Sequence, residues 1–228
     1  MAVGEGFFIN GQEYFQYAKQ LLPDLSCIAK ITEKGVETLE LQENDKHEKW
    51  QEKLLKTRSI IISGEITQAL AEKITAQLLI LQEMGDQPIR LYINSQGGHV
   101  EAGDTIHDMI RFIKPRVIVI GTGWVASAGI TIYLAADKED RYSLPNTRYM
   151  IHQPLGGVHG QATDIQIEAD EIIKVRSRIN KLISERTGQT LERVEKDTRR
   201  NYWLDVQEAK EYGIVHQIIT EHSELPAL

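Results

Sequence analysis

Arg116-Val117-Ile118-Val119-Ile120-Gly121-Thr122-Gly123-Trp124-Val125-Ala126-Ser127-Ala128-Gly129 is the stretch that decides the fold. The β-branched run at 117–120 is unbroken, which suits a buried strand, and Gly121-Thr122-Gly123 predicts its end. A helix is expected over about 127–136, with Ser127 at its start. Upstream, Ser59-Ile60-Ile61-Ile62-Ser63 reads as a strand ended by Gly64. Leu70, Ile74, Leu78 and Leu81 then form one apolar stripe on a helix. Ile89–Asn94 is a second strand stopping at Ser95-Gln96-Gly97-Gly98, and 100–113 reads as helical. Downstream come two short strands, near 141–144 and 148–152, and a long helix over about 163–186. Short links between alternating strands and helices are the mark of parallel βαβ units, so the fold class is α/β.

Composition narrows the function. The chain has 228 residues, 41% of them apolar and 26% charged, enough for one domain with a real core. The net charge of −7 offers no basic patch for nucleic acid. One cysteine, Cys27, excludes a disulfide framework and a cysteine-rich zinc site, so no metal is expected and a reducing, cytoplasmic compartment fits. No apolar run is long enough to span a membrane, and the first residues lack the pattern of a secretory signal. Residues 1–53 stand apart: an aromatic opening with Phe7, Phe8, Tyr14, Phe15 and Tyr17, then a charged stretch from Glu33 to Lys53. They read as a leader or docking segment, or equally as a short helix packed on the domain; the domain proper is 54–220 and the tail 221–228. In the long helix Ile165, Ile172 and Ile179 are seven apart, as are Val175 and Leu182, a stripe that suits either core packing or a subunit interface.

Parallel sheets place their working groups at the C-terminal ends of the strands. Three polar features fall there: Gly97-Gly98, Ser127 and His152. Ser127, among small neighbours at a helix start, has a reachable hydroxyl beside unpaired N–H groups; the same position also suits a plain N-cap serine. A serine needs a base to take its proton. Of the seven histidines, His152 closes a strand and best suits that task, while His99 follows the glycine pair. The glycine pair can bring bare N–H groups to a developing oxyanion, although a lone Gly-Gly is equally an ordinary turn.

The motifs Tyr92-Ile93-Asn94-Ser95-Gln96-Gly97-Gly98, Ala126-Ser127-Ala128-Gly129, Leu144–Gly157 and Gly160–Ile165 resemble those of the proteolytic subunit of the ATP-dependent Clp protease, ClpP. The similarity covers roughly 54–220, and the spacing from Ser127 to His152 also matches. The resemblance implies a ClpP/crotonase-type fold of repeated ββα units, with the long helix as a protruding handle. It implies Ser127 as nucleophile, His152 as base, and the N–H groups of Gly98 and Ala128 as the oxyanion hole. The third catalytic position, usually aspartate, falls on Asn201; Asp197 and Asp205 are the nearby acids able to substitute. The resemblance further implies two stacked heptameric rings of self or paralogous subunits, with Arg200 at the ring–ring contact. A hexameric AAA+ Clp ATPase would dock at an apolar pocket containing Tyr92, Phe112 and Ile219, unfold protein substrates and feed them in. ATP would be used by that partner; this chain shows no phosphate loop and no cofactor is expected in it.

Other departures from the family are Arg199 where an acid is usual, Arg90 where an aromatic is frequent, and Gln96 in place of a proline that would stiffen the oxyanion turn. Asparagine can orient an imidazole but cannot stabilise imidazolium by charge. The leading expectation is therefore a serine endopeptidase of low intrinsic activity, cutting unfolded polypeptide into short peptides. The alternatives are a structural paralogue in a mixed ring with an active subunit, and a crotonase-type acyl-CoA enzyme.

Overall fold

The strand β3, Val117–Ala126, is the hub of a seven-stranded sheet in a computed structural model that describes residues 50–157 and 159–227. The aromatic opening, Cys27 and nearly all of the charged stretch lie outside the described residues. In chain order the elements of this unit are β1 (Ser59–Ile66), α1 (Gln68–Glu83), β2 (Ile89–Gly98), α2 (Val100–Phe112), β3 and α3 (Ala128–Tyr133). There follow β4 (Arg141–Ser143), β5 (Arg148–Ile151), α4 (Ala162–Thr187), α5 (Leu191–Asp197), β6 (Tyr202–Leu204), α6 (Val206–Tyr212) and β7 (Gln217–Ile218). The strand order is β1-β2-β3-β4-β7, all parallel. The first half of β3 pairs with β4 and its second half with β5, which in turn pairs antiparallel with β6.

The strands run past the glycines where the sequence predicts their ends. β1 continues through Gly64 to Ile66, β2 through Ser95 to Gly98, and β3 through Gly121-Thr122-Gly123 to Ala126. The register shifts between Ser63 and Glu65 and between Ile93 and Ser95. The polar and glycine residues there make bulges rather than stops. A bulge takes up an extra residue, bends the strand and lets pairing resume beyond it. The consequence for function is direct, because the resumed pairing carries the sheet edge to the three expected polar features.

Two apolar clusters cover the two faces of the sheet. Ile60, Ile62, Leu91, Ile93, Val117 and Val119 face the helices, where α1 contributes Ile74, Leu78 and Leu81 as its spacing predicts. Ile118, Ile120, Tyr142 and Ile219 lie on the opposite face. Beneath α3, two arginines gather carbonyls at helix ends. The buried Arg141 donates to Ala136 O at 3.0 Å and Arg186 O at 2.8 Å, and Arg186 Nε to Leu134 O at 2.8 Å. Burial, with the neighbouring Arg186 charge, pushes the Arg141 pKa down to about 10. Cations at helix C-termini are favourable, so this pair ties the end of α3 to the end of α4.

The long helix divides in two. Ile179 and Ile183 are buried, whereas Ile165, Ile167 and Ile173 are exposed. Of the stripe itself, Ile179 is buried, Val175 and Leu182 pack on the core, Ile172 is half-buried and Ile165 is exposed in the single chain.

Candidate active site

Ser127 occupies the junction of β3 and α3 with φ 55° and ψ −122°, a conformation that L-residues other than glycine rarely adopt. Its N–H donates to Met150 O at 3.0 Å, and its carbonyl accepts from Ile130 N at 2.9 Å. Close packing holds the turn. A Cβ added to Gly97, whose φ is +98°, would stand 2.6 Å from Ser127 Cβ and 2.8 Å from Ala126 O. One at Gly98 would meet Ile66 O at 2.3 Å. Glycine at both positions is thus what lets the end of β2 run beside the serine.

The glycine pair is itself pinned. The buried Ser95 hydroxyl donates to Gly64 O at 2.5 Å and accepts from Gly97 N at 3.0 Å. With its amide turned to satisfy both partners, Gln96 donates to Gly64 O at 3.3 Å and accepts from Glu65 N at 3.2 Å. Side-chain bonds to the β1 bulge thereby replace the stiffening expected of a proline.

His152 follows β5 directly. Antiparallel pairing sets Ile151 against Tyr202, so the next residues outward, His152 and Asn201, face each other. His152 Nε2 lies 2.7 Å from Ser127 Oγ, and Nδ1 lies 3.1 Å from Asn201 Oδ1. An amide oxygen only accepts, so Nδ1 carries the proton and Nε2 is free to accept the serine proton. Burial holds the His152 pKa below the ordinary histidine value of 6.5, while the Asn201 bond pulls the other way. The neutral base form therefore prevails at pH 7.

Neither nearby acid reaches the imidazole. Asp197 Oδ2 accepts from Tyr212 OH at 3.1 Å and from Arg193 Nε at 3.4 Å. Asp205 caps α6, its Oδ1 accepting from Glu208 N at 2.8 Å. The Asn201 segment is instead tied down from behind. Gln153 N donates to Thr198 O at 2.6 Å, and Gln153 Nε2 to Arg199 O at 3.2 Å. The buried Thr198 hydroxyl lies 3.0 Å from Asn180 Oδ1 on α4 and 2.8 Å from Val194 O. Sequence spacing gives no sign of Ser95, Thr198 and Asn180 as supports, because they act through partners far along the chain. Next to the serine and histidine a cleft opens, lined by Val100, Ile130, Ile151, Ile179 and Ile183.

The other expected residues fall as follows. Gly98 ends β2, and Ala128 opens α3 beside Ser127. His99 lies 3.1 Å from Glu101 and takes no part in the Ser127–His152 contact. Tyr92 and Ile219 belong to one apolar cluster on the sheet face opposite α1 and α2. Phe112 does not join them: it is the last residue of α2, which packs on the other face, and it is 76% exposed. Arg199 and Arg200 are exposed. Among the described residues no cluster of His, Cys, Asp and Glu is placed to hold a metal, and no helix is long and apolar enough to cross a membrane.

The Clp protease family model matches residues 42–222. The ATP-dependent Clp protease proteolytic subunit 3 of Rhizobium etli is 56% identical over 172 residues, 75% of this chain and 89% of the relative. Subunit 2 of Pseudomonas aeruginosa is 49% identical over 177 residues, covering 78% and 88%. Among solved structures, ClpP1 from Listeria monocytogenes is 62% identical with a TM-score of 0.71, covering 78% of this chain and 99% of that one. An asparagine-to-aspartate mutant of the same protein matches with a TM-score of 0.72 over 76% and 98%.

Proposed function

The chain belongs to the Clp protease family, and on that footing we propose that Ser127, His152 and Asn201 are its catalytic residues. It is a Clp protease proteolytic subunit, a serine-type endopeptidase. The single observation that supports the residue roles best is the 2.7 Å contact from Ser127 Oγ to His152 Nε2, on a nucleophile held in a strained turn.

Ser127 Oγ attacks the scissile carbonyl carbon as His152 Nε2 takes its proton. The carbonyl oxygen becomes an oxyanion met by the N–H groups of Gly98 and Ala128, and donors fixed in advance are worth several kcal/mol at this step. The imidazolium then gives its proton to the leaving amine, and the peptide bond breaks. Water repeats the sequence on the Ser127 ester and releases the second product. Asn201 Oδ1 holds Nδ1–H in place throughout but adds no negative charge beside the imidazolium.

The subunit assembles into Clp protease rings. In the finer reading these are two stacked heptamers, paired in part through Arg200. A hexameric AAA+ ATPase docks at the face containing Tyr92 and Ile219 and delivers unfolded protein, consuming the ATP itself. The neutral Asn201 supports a second reading, a low-activity subunit in a ring with a more active paralogue. The acyl-CoA reading falls to the family match.

One experiment separates the two that remain. Native mass and hydrolysis of a fluorogenic apolar peptide are measured on the purified chain, then with a paralogous subunit and a Clp ATPase. A tetradecamer that cuts the peptide alone, and unfolded protein with ATPase and ATP, fits the first reading. Activity only in the mixed assembly, surviving Ser127→Ala in this chain, fits the second.

A further inference from the structure

On the sheet face opposite α1 and α2, residues 220–226 of the same chain lie over the apolar cluster. A row of residues in register, Ile61, Tyr92, Ile120 and Tyr142, crosses four strands on that face. Parallel sheets are normally covered on both faces, because their strands are apolar on both. Here Ile120 and Tyr142 are buried, Tyr92 is half-buried and Ile61 is 52% exposed. Leu225 packs on this cluster, with Ile118 and Ile219 around it. A cation closes the contact. Arg90, on β2 two residues before Tyr92 and so on the same face, sends Nη1 to His222 Nε2 and Nη2 to Pro226 O, each at 2.9 Å. A guanidinium only donates, so His222 Nε2 accepts. Arg90 is buried, and its Nε has no partner among the described residues.

The segment is compact in itself and loosely held to the sheet. Glu224 Oε1 accepts from Thr220 N at 2.6 Å and Glu221 N at 2.8 Å, and Leu225 N donates to His222 O at 3.2 Å. These bonds fold residues 220–225 into one turn that aims Leu225 at the sheet. Glu221, His222, Ser223 and Glu224 are exposed, and Leu225 and Pro226 are only part-buried. Two Arg90 bonds and one aliphatic side chain make a contact that a competing peptide can replace.

We propose that Glu221–Pro226 is a displaceable plug on this face. Leu225 fills the seat that a partner's docking segment needs, and Arg90 is the latch. The partner is a peptide segment of the ATPase that presents a branched aliphatic side chain. The proposal rests on the reading above that the ATPase docks beside Tyr92 and Ile219, and adds that the chain's own tail must leave first.

The test uses the full chain and its Leu225→Asp variant. The probe is a fluorescently labelled peptide of the tail, Glu-His-Ser-Glu-Leu-Pro-Ala-Leu, followed by anisotropy. The wild type should take up little peptide, because the seat is filled in cis. Leu225→Asp should bind it saturably, at least tenfold more tightly, and adding Arg90→Met should undo most of that gain. Hydrogen exchange checks the variants: residues 220–226 should exchange faster while β1 and β2 stay protected. If Leu225→Asp disturbs those strands, Leu225→Ala in the same assay replaces it. Equal peptide binding by wild type and variant, or none by a variant with protected strands, overturns the plug. A purified Clp ATPase supplies the second arm, with at least fivefold tighter binding to Leu225→Asp expected. Peptide binding as expected with equal ATPase binding overturns the plug's competitive role. ATPase binding to neither chain refutes the docking reading, and the plug with it as a gate for that partner, even where the peptide still binds.

Discussion

On one side of His152 the bonded atom, Ser127 Oγ, stands on a segment fixed by close packing; on the other, Asn201 Oδ1 belongs to an exposed residue held at second hand. The serine turn has Gly97 against its Cβ, a main-chain bond to Met150, and buried alanines on both sides. The asparagine relies on strand pairing from β5 to β6 and on the Gln153–Thr198–Asn180 bonds behind it. Packed atoms cannot shift without clashes, whereas hydrogen-bonded loops can. The difference teaches where the site is built and where it is tuned. Changes at the serine turn should destroy activity, and changes on the asparagine side should adjust it in either direction.

The largest expected effect breaks the rigid side outright. Ser127→Ala should lower kcat/KM for a fluorogenic peptide by about 10⁴- to 10⁵-fold, the loss of a serine nucleophile less the share already forfeited at Asn201. Gly97→Ala comes next. Its Cβ must displace the serine turn and adopt a positive φ. Steady-state kinetics should show kcat down by at least about 10²-fold, the cost of displacing reacting groups by roughly 1 Å. A thermal melt should fall with it.

The asparagine side sharpens the contrast, because there a substitution should improve the enzyme. Asn201→Asp puts a carboxylate on the imidazolium formed during attack. In a serine protease of another fold, loss of that carboxylate costs about 10⁴-fold in kcat. Here the rise is expected to be about 10- to 100-fold, because Asn201 is exposed and solvent screens its charge. The pH profile should move as well. In the unmodified chain burial keeps the His152 pKa below 6.5, so the midpoint of the acid limb of activity should lie below 6.5. A carboxylate favours the protonated ring, raises the pKa and moves the acid limb to higher pH. The smallest effect should come from Thr198→Val. It removes a hydroxyl within reach of Asn180 and Val194, worth about 1–1.5 kcal/mol, so kcat should fall about 5- to 10-fold while KM holds. Asn201→Asp in the same chain should recover most of that loss.

The sequence made much of this legible, and the gaps have physical causes. The alternation of β-branched runs with amphipathic stripes was enough for the parallel sheet and its helices. The strands run past Gly64, Ser95 and Gly121, because a glycine or small polar residue marks a bulge as readily as a stop and only cross-strand partners distinguish them. Ser127 and His152 stood out because each follows a strand directly. The position of Asn201 came from family resemblance alone; its contact with His152 depends on antiparallel pairing between short strands 50 residues apart, which no local pattern encodes. The resemblance puts Phe112 with Tyr92 and Ile219, whereas within the single chain α2 carries it to the other face of the sheet. The tail carries no motif of its own, and only folding sets Leu225 on the cluster of Ile118, Ile120, Tyr142 and Ile219 and brings Arg90 to Pro226.

The most direct measurement is the site and pH dependence of acylation by a fluorophosphonate probe, with the modified residue identified by peptide mass spectrometry. The expected result is one adduct, on Ser127, absent in Ser127→Ala, with a rate whose acid limb has its midpoint below pH 6.5. An adduct at another residue, or equal labelling of the two chains, would contradict a nucleophile at 127 activated by the imidazole at 152.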